Sequence, residues 1–423
     1  MDELNKKDQD AAINAADLPA ARMQHVFVPE EPPPFLSLAE RDRRHKMIRE
    51  RMTASGIDVL ILPPNANRWE QCMADSRYVT GIGGFGTETL TIFPRDREPT
   101  AYLFNRSSWW RAVQQWIPDV RDGRNRWGRN ITEHLKEIGF KGGTIGLSGL
   151  GGLPRTPDGI VPHRMVQAIM AIPGVKLIDA TPLVQELRSI KSPEEVATLE
   201  RSAAIADRMV AAMVRLARPG NTERQVYAAM VEAMIAEGGD LPALMIFASG
   251  TGVSHGQFVP TARVLKAGDL IANEIEARYA GYGAQTVAPL SLGKPEPAVA
   301  EAGRVALAAF EAVRSEMKPG ATILGLMRTY QRTTETEGKG RFRVGFPLMH
   351  ARGLGDEVPV VLDHDDLQKQ GDIVLAENMV FVLKPRAISA DGHAQVQLGD
   401  TVCVTPGGGR RLGRRELGLI VVG

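Results

Sequence analysis

The chain has little cysteine: two residues in 423, Cys72 and Cys403, far apart in sequence. That excludes a disulfide framework and a thiolate metal site, both of which need several cysteines at close spacing. Long apolar runs are absent too, since no stretch approaches the ~20 residues that cross a bilayer. Neither sign of charge is in excess. With 51 basic and 50 acidic residues the formal net charge is +1, which gives nucleic acid or an anionic membrane no electrostatic hold. The opening residues, MDELNKKDQDAAINAADLPA, are acidic and lack the basic start and apolar core of a secretory signal. A cytoplasmic protein with no membrane or nucleic-acid partner is the expectation.

What is present is the composition of an ordinary globular chain, 43% hydrophobic and 24% charged, long enough for two domains with separate cores. Residues 1–36 read as an extension that closes on the stiff run Pro32-Pro33-Pro34. It is either a loose arm or an arm that wraps a second subunit. From Ser37 to about Ser55, Leu38, His45, Ile48 and Met52 recur at helical spacing among dense charge. The apolar run Ile57 to Leu62 is a buried strand. Arg77 to Gly81 and Leu90 to Phe93 are expected to continue its sheet, and Thr144 to Leu147 and Val175 to Asp179 to extend it as βα units. Together these make a domain over 37–185. Trp109, Trp110, Trp116 and Trp127 read as core packing or a dimer contact rather than a base-stacking surface. The glycine-rich pieces at 149–152 and 407–409 lack the Lys-Ser/Thr or the strand-to-helix setting of a phosphate loop, and read as turns.

Leu187 to Lys191 is the expected linker into a second domain over 186–423. Ser192, Pro193 and Glu195 spell a capped helix start. Val196, Leu199, Ala203, Ala206 and Met209 then form its buried stripe, and Pro219-Gly220 breaks it. Thr222 with Gln225 restarts a helix that runs to about Glu237. A further helix is expected at 297–317, and paired strands around Val380 and Val402.

The second domain is organised around residues 268–289, GDLIANEIEARYAGYGAQTVAP. A two-residue period sets Glu274 and Glu276 on one face, and Gly281 and Gly283 are expected to supply the turn. Here the chain resembles the prolidase, methionine aminopeptidase and creatinase superfamily, whose hairpin reads D-(7)-GY-(3)-D. Glu274 and Gln285 stand at its two aspartate positions. His350, in His350-Ala351-Arg352-Gly353-Leu354, is similar to the His of an H-G-x-G-L motif. Lys384, in the run from Asn378 to Pro385, stands at the Glu of an E-P motif, and Gly399, before Asp400, at the Glu of an E-D motif. The opening of the first domain and the linker phrase at 187–193 are similar to the superfamily's as well. The resemblance covers roughly residues 40–420. It implies an α/β N-terminal creatinase-like domain plus an α+β C-terminal pita-bread domain, the latter made of one half and its pseudo-repeat.

In the metallopeptidases of this superfamily the five positions hold metal. A two-ion oxygen site needs several carboxylates to balance roughly four positive charges, and here only Glu274 and His350 match. No metal and no other cofactor is expected. Creatinase and ectoine hydrolase are similar in having lost metal ligands while remaining hydrolases. The resemblance thus implies a metal-independent hydrolase of a non-peptide C–N bond in a small, carboxylate-bearing molecule. His255, at the end of the segment Ala248 to His255, is the expected general base and acid. Glu274 and Glu276 would orient water or a cationic nitrogen, while His350, Lys384 and Arg352, beside Gln285, would hold an anionic end. A homodimer is implied, with an aromatic side chain of the N-terminal domain closing the partner's pocket, and Phe85 stands at that place. Other readings stay open: a lyase on the same scaffold, a pseudopeptidase that binds without catalysis, and an Xaa-Pro metallopeptidase. For Lys384 a buried structural ion pair is the competing role.

Overall fold

The computed structural model describes residues 30–64, 74–84, 87–105, 107–152, 155–241, 245–251 and 259–423. Phe85, His255 and most of the N-terminal extension lie outside them.

The N-terminal domain is built on a six-stranded mixed sheet in the order Asp119–Asp122, Thr100–Leu103, Thr89–Pro94, Val59–Leu62, Gly143–Leu147, Val175–Asp179. Val59–Leu62 is central, antiparallel to Thr89–Pro94 and parallel to Gly143–Leu147. All four of its residues are buried, which is why it reads as an unbroken apolar run rather than an alternation. The helix Leu38–Ala54 starts where the Ser37 hydroxyl accepts from the Glu40 amide at 3.1 Å. It buries Ile48 and Met52 against the sheet. Trp110 and Trp116 lie in the core beside Leu103 and Val120.

One expected strand is a helix. Arg77 to Thr80 belongs to the helix Ala74–Thr80, whose residues are all buried, and Gly81 follows its end. The Thr80 hydroxyl donates back to the Ser76 carbonyl at 2.7 Å, and the Gly81 amide to Arg77 at 2.8 Å with φ of +69°. Gly81 is therefore the left-handed stop of a helix, a signal that a β-prone run disguises.

The C-terminal domain carries two helix pairs, Pro193–Leu216 with Glu223–Ala236 and Pro297–Glu316 with Ile323–Glu337. Both expected capping boxes form, Ser192 with Glu195 and Thr222 with Gln225. The expected linker is partly helical, because Thr181–Ser189 runs through Leu187 and Arg188. Under the first pair, the long strand Leu270–Tyr279 is flanked by Ile246–Gly250 and Leu290–Leu292 and folds back onto Tyr282–Thr286. Its turn is Ala280-Gly281, both at positive φ. Gly283 lies instead on the return strand, where a Cβ would sit 2.8 Å from the Arg352 guanidinium. Under the second pair lies a sheet in the order Asp356–Val361, Met349–Arg352, Val380–Leu383, Asp400–Thr405, Gly408–Arg411. The last strand takes up Gly408 and Gly409, so only Gly407 of that expected turn stays outside it. A bridge from Val287 to Gly399, with the Gln285 amide donating to the Thr401 hydroxyl at 2.9 Å, joins the hairpin to this sheet.

The domains share a core in which Tyr78 and Leu187 pack with Leu199, Tyr282, Leu354 and Val380. Among the described residues no helix is long and apolar enough to cross a membrane.

Candidate active site

Strand pairing brings the two halves of the C-terminal domain face to face. On the hairpin, Glu276 stands opposite Gln285, and the diagonal neighbour Glu274 is within reach of the same side chain. Gln285 Nε2 donates to Glu274 Oε2 at 2.9 Å. From the other half, His350 pairs with Val382 on the strand Val380–Leu383, and Lys384 is the next residue after that strand's end. Lys384 Nζ donates to Glu274 Oε1 at 2.9 Å and reaches Gln285 Oε1 at 3.5 Å. His350 Nε2 lies 3.2 Å from Gln285 Oε1. None of these four side chains is more than 4% exposed. Four positions separated by up to 110 residues thus form one hydrogen-bonded cluster.

Burial lowers the pKa of His350 to about 3, with Asp356 opposing and Lys384, Arg155 and Arg352 assisting. At neutral pH the imidazole is therefore uncharged.

Beneath the cluster lies a second layer that the sequence reading left out. Asp356 sits opposite Arg352 in the hairpin that returns from His350, and its carboxylate is 3.4 Å from His350 Nδ1. Arg155, from the N-terminal domain, donates to it at 2.5 Å. Burial works against the ionised form of Asp356, but His350, Arg352, Arg155 and Lys384 hold it well below the usual carboxylate range. The spacing of Arg352 and Asp356 around Gly353 and Gly355 was the available signal, since a glycine-rich turn between short strands sets such residues opposite each other.

Arg352 and Glu276 are engaged with each other and with further charges. The Arg352 guanidinium pairs with Glu276 and with Asp356, and Glu276 also accepts from Arg278 Nε at 2.6 Å. Arg352 is 1% exposed, and its pairs with Glu276 and Asp356 link the two halves. Asp400 likewise turns to Arg411, at 2.9 Å.

The five family positions do not fit a pair of divalent ions. They offer one carboxylate, one imidazole and one amide, and the fourth is a lysine whose Nζ already touches that carboxylate. Two unit charges of one sign 4 Å apart repel by about 4 kcal/mol at an effective dielectric near 20. The fifth, Gly399, has no room for a side chain, because a Cβ there would lie 2.5 Å from the Leu383 carbonyl and 2.7 Å from Lys384 Cβ. Among the described residues no three His, Cys, Asp or Glu side chains converge to hold a metal ion.

Comparison with known proteins gives the lineage. Residues 44–190 match the model of the creatinase/prolidase N-terminal domain, and residues 197–406 that of metallopeptidase family M24. An Xaa-Pro dipeptidase of Pyrococcus furiosus is 28% identical over 268 residues, 62% of this chain and 74% of that protein. An uncharacterised peptidase of Bacillus subtilis is 27% identical over 369 residues, 87% of this chain and 96% of that one. In structure, the X-Pro aminopeptidase of Thermotoga maritima superposes with a TM-score of 0.72 at 23% identity, covering 89% of this chain and 99% of its own. The names of these relatives are peptidase names, and they overturn the expectation of a hydrolase for a non-peptide C–N bond. That expectation leaned on the altered ligand positions, which report on the metal and not on the bond cleaved. From its two matched domains and the architecture they form, the chain belongs to the creatinase/prolidase superfamily, in metallopeptidase family M24.

Proposed function

We propose that this chain is a hydrolase of the peptidase kind that acts on short peptides at the bond preceding proline. The Xaa-Pro dipeptidase and X-Pro aminopeptidase names among its relatives support the substrate class. The observation that carries the site is the meeting of Glu274, Gln285, His350 and Lys384 from opposite halves of the domain. An ammonium has three donors. Lys384 gives one to Glu274 and lies at long range from Gln285, which leaves it able to polarise a peptide carbonyl in a site sheltered from water. Neutral His350 keeps Gln285 in register, and Glu274 holds the Lys384 ammonium and the Gln285 amide in place.

The test is a panel of Xaa-Pro dipeptides and Xaa-Pro-Yaa tripeptides beside Xaa-Ala controls. Release of the N-terminal amino acid would be followed by chromatography, in chelator and in manganese, cobalt or zinc. Release from the proline series alone is expected. No release from any peptide under any of these conditions overturns the reading.

The replacement of family ligand positions by Gln285, Lys384 and Gly399 favours a second reading, in which the same peptides bind and leave intact. Calorimetric binding without product would mark it.

A further inference from the structure

We propose that the cluster at the floor of the C-terminal domain excludes divalent cations, because Lys384 supplies from within the chain the positive charge that a metal would bring. The inference goes beyond the peptide reading, since it concerns what the site holds and not what it cleaves.

The first argument is local. A divalent ion bound by Glu274 would have to displace Lys384 Nζ, which lies 2.9 Å from one carboxylate oxygen, and the Gln285 amide, which donates to the other at 2.9 Å. Both oxygens are engaged by donors, and a cation needs them as lone pairs. The second argument is the charge around the cluster. Three carboxylates, Glu274, Glu276 and Asp356, face four cations, Lys384, Arg278, Arg352 and Arg155. The named groups sum to one positive charge, and a metal pair would raise that further in a buried setting. The third is steric. Gly399 could not regain a ligating side chain, since the backbone of Leu383 and the stem of Lys384 fill the place of its Cβ. The crowding comes from the Leu383 carbonyl and from the Cα and Cβ of residue 384, so it closes the Gly399 position whatever side chain stands at 384.

The experiment reads metal content and not turnover. The full chain, purified without a metal-binding tag, is dialysed against manganese, cobalt or zinc and then against ion-free buffer for elemental analysis. Wild-type protein should retain less than about 0.1 ion per chain, with a melting temperature unmoved by millimolar Mn2+. The double variant Gln285→Asp with Lys384→Glu restores two carboxylates beside Glu274 and His350. It should take up about one ion per chain and gain a melting temperature that climbs with Mn2+. Lys384→Gln, a milder change, serves if circular dichroism finds the double variant unfolded, and should bind Mn2+ at least about tenfold more tightly than wild type. A wild-type chain that keeps one or two ions, lost on Glu274→Gln, overturns the proposal. So does a folded variant series that takes up no metal, because the lysine is then not what keeps the cation out. Cleavage of proline peptides by a metal-free chain would leave both inferences standing, and a failed peptide panel would leave the metal result untouched.

Discussion

The two halves of the C-terminal domain start from the same short phrase and end with opposite charge. Pro219-Gly220-Asn221-Thr222 and Pro319-Gly320-Ala321-Thr322 each separate a pair of helices. The Gly220 amide donates to the Leu265 carbonyl at 3.1 Å and the Gly320 amide to the Leu375 carbonyl at 2.9 Å. Thr222 bridges to Val264 and Thr322 to Val374, and each threonine hydroxyl caps the helix that follows. Yet the first half presents the acids Glu274 and Glu276, and the second presents His350, Arg352 and Lys384. Two ion pairs of the site, Glu274 with Lys384 and Glu276 with Arg352, cross the seam, while Glu276 with Arg278 and Arg352 with Asp356 stay within their halves. A repeated backbone plan can therefore be kept while the two inner walls become complementary. In this chain the complement of an acidic wall is a basic one.

If the seam is held by those pairs, Arg352→Met should do the most damage. It strips a partner from two buried carboxylates, Glu276 and Asp356, and losing one side of a buried pair costs about 3–5 kcal/mol. A denaturant midpoint shifted down at unchanged slope would record it, and a shift within ±0.5 kcal/mol would mean the halves cohere without the pair.

Lys384→Met should cost less, about 2–3 kcal/mol, because Glu274 keeps the Gln285 amide as a charged acceptor's partner. Adding Glu274→Gln should recover most of that loss. Strict additivity of the two changes would break the claim that they form a pair across the seam.

Acid should weaken the basic wall first. His350 has a folded pKa of about 3 against 6.5 for the free side chain. Between those values the unfolded chain binds the extra proton, so the stability from neutral His350 is full above pH 6.5 and is lost as pH falls towards 3. His350→Gln should flatten that limb of the stability profile, and an unchanged limb would place the titration elsewhere.

The smallest effects test the shared plan. Thr222→Ala and Thr322→Ala should each cost about 1 kcal/mol through loss of a helix cap. Thr222 should be the more sensitive by a few tenths, because its hydroxyl also donates to the Gln225 side chain at 3.1 Å. A cost at only one of the two would show that the halves do not share their punctuation energetically.

Some elements were legible because their causes lie within a few residues. Ser192-Pro193 with Glu195 states a helix start through bonds that reach three positions, and the alternation from Leu270 to Glu276 states a strand in the same way. Ala74–Thr80 was missed because its end, Tyr78-Val79-Thr80, favours strand on its own. Its helix is held by partners over a hundred positions away: Asp75 by Arg188, and Tyr78 by the Leu187 carbonyl. The site was legible only as a set of positions. Glu274, Gln285, His350 and Lys384 could be named, but Arg352 was read as an open anion clamp because the sequence does not say that Asp356 and Glu276 occupy it.

By itself, then, the sequence determined the domain plan, the helix caps, the hairpin with its two acids, and the loss of family ligands at Gln285, Lys384 and Gly399. These depend on residue type and short spacing, which a linear chain displays in full. Only the tertiary structure decided which charges neutralise which, that Arg155 of the first domain reaches the floor of the second, and that the chain at Leu383-Lys384 closes the room of a Gly399 side chain. Pairing energies depend on distances of a few ångströms between residues a hundred or more positions apart, and only the folded chain sets those distances.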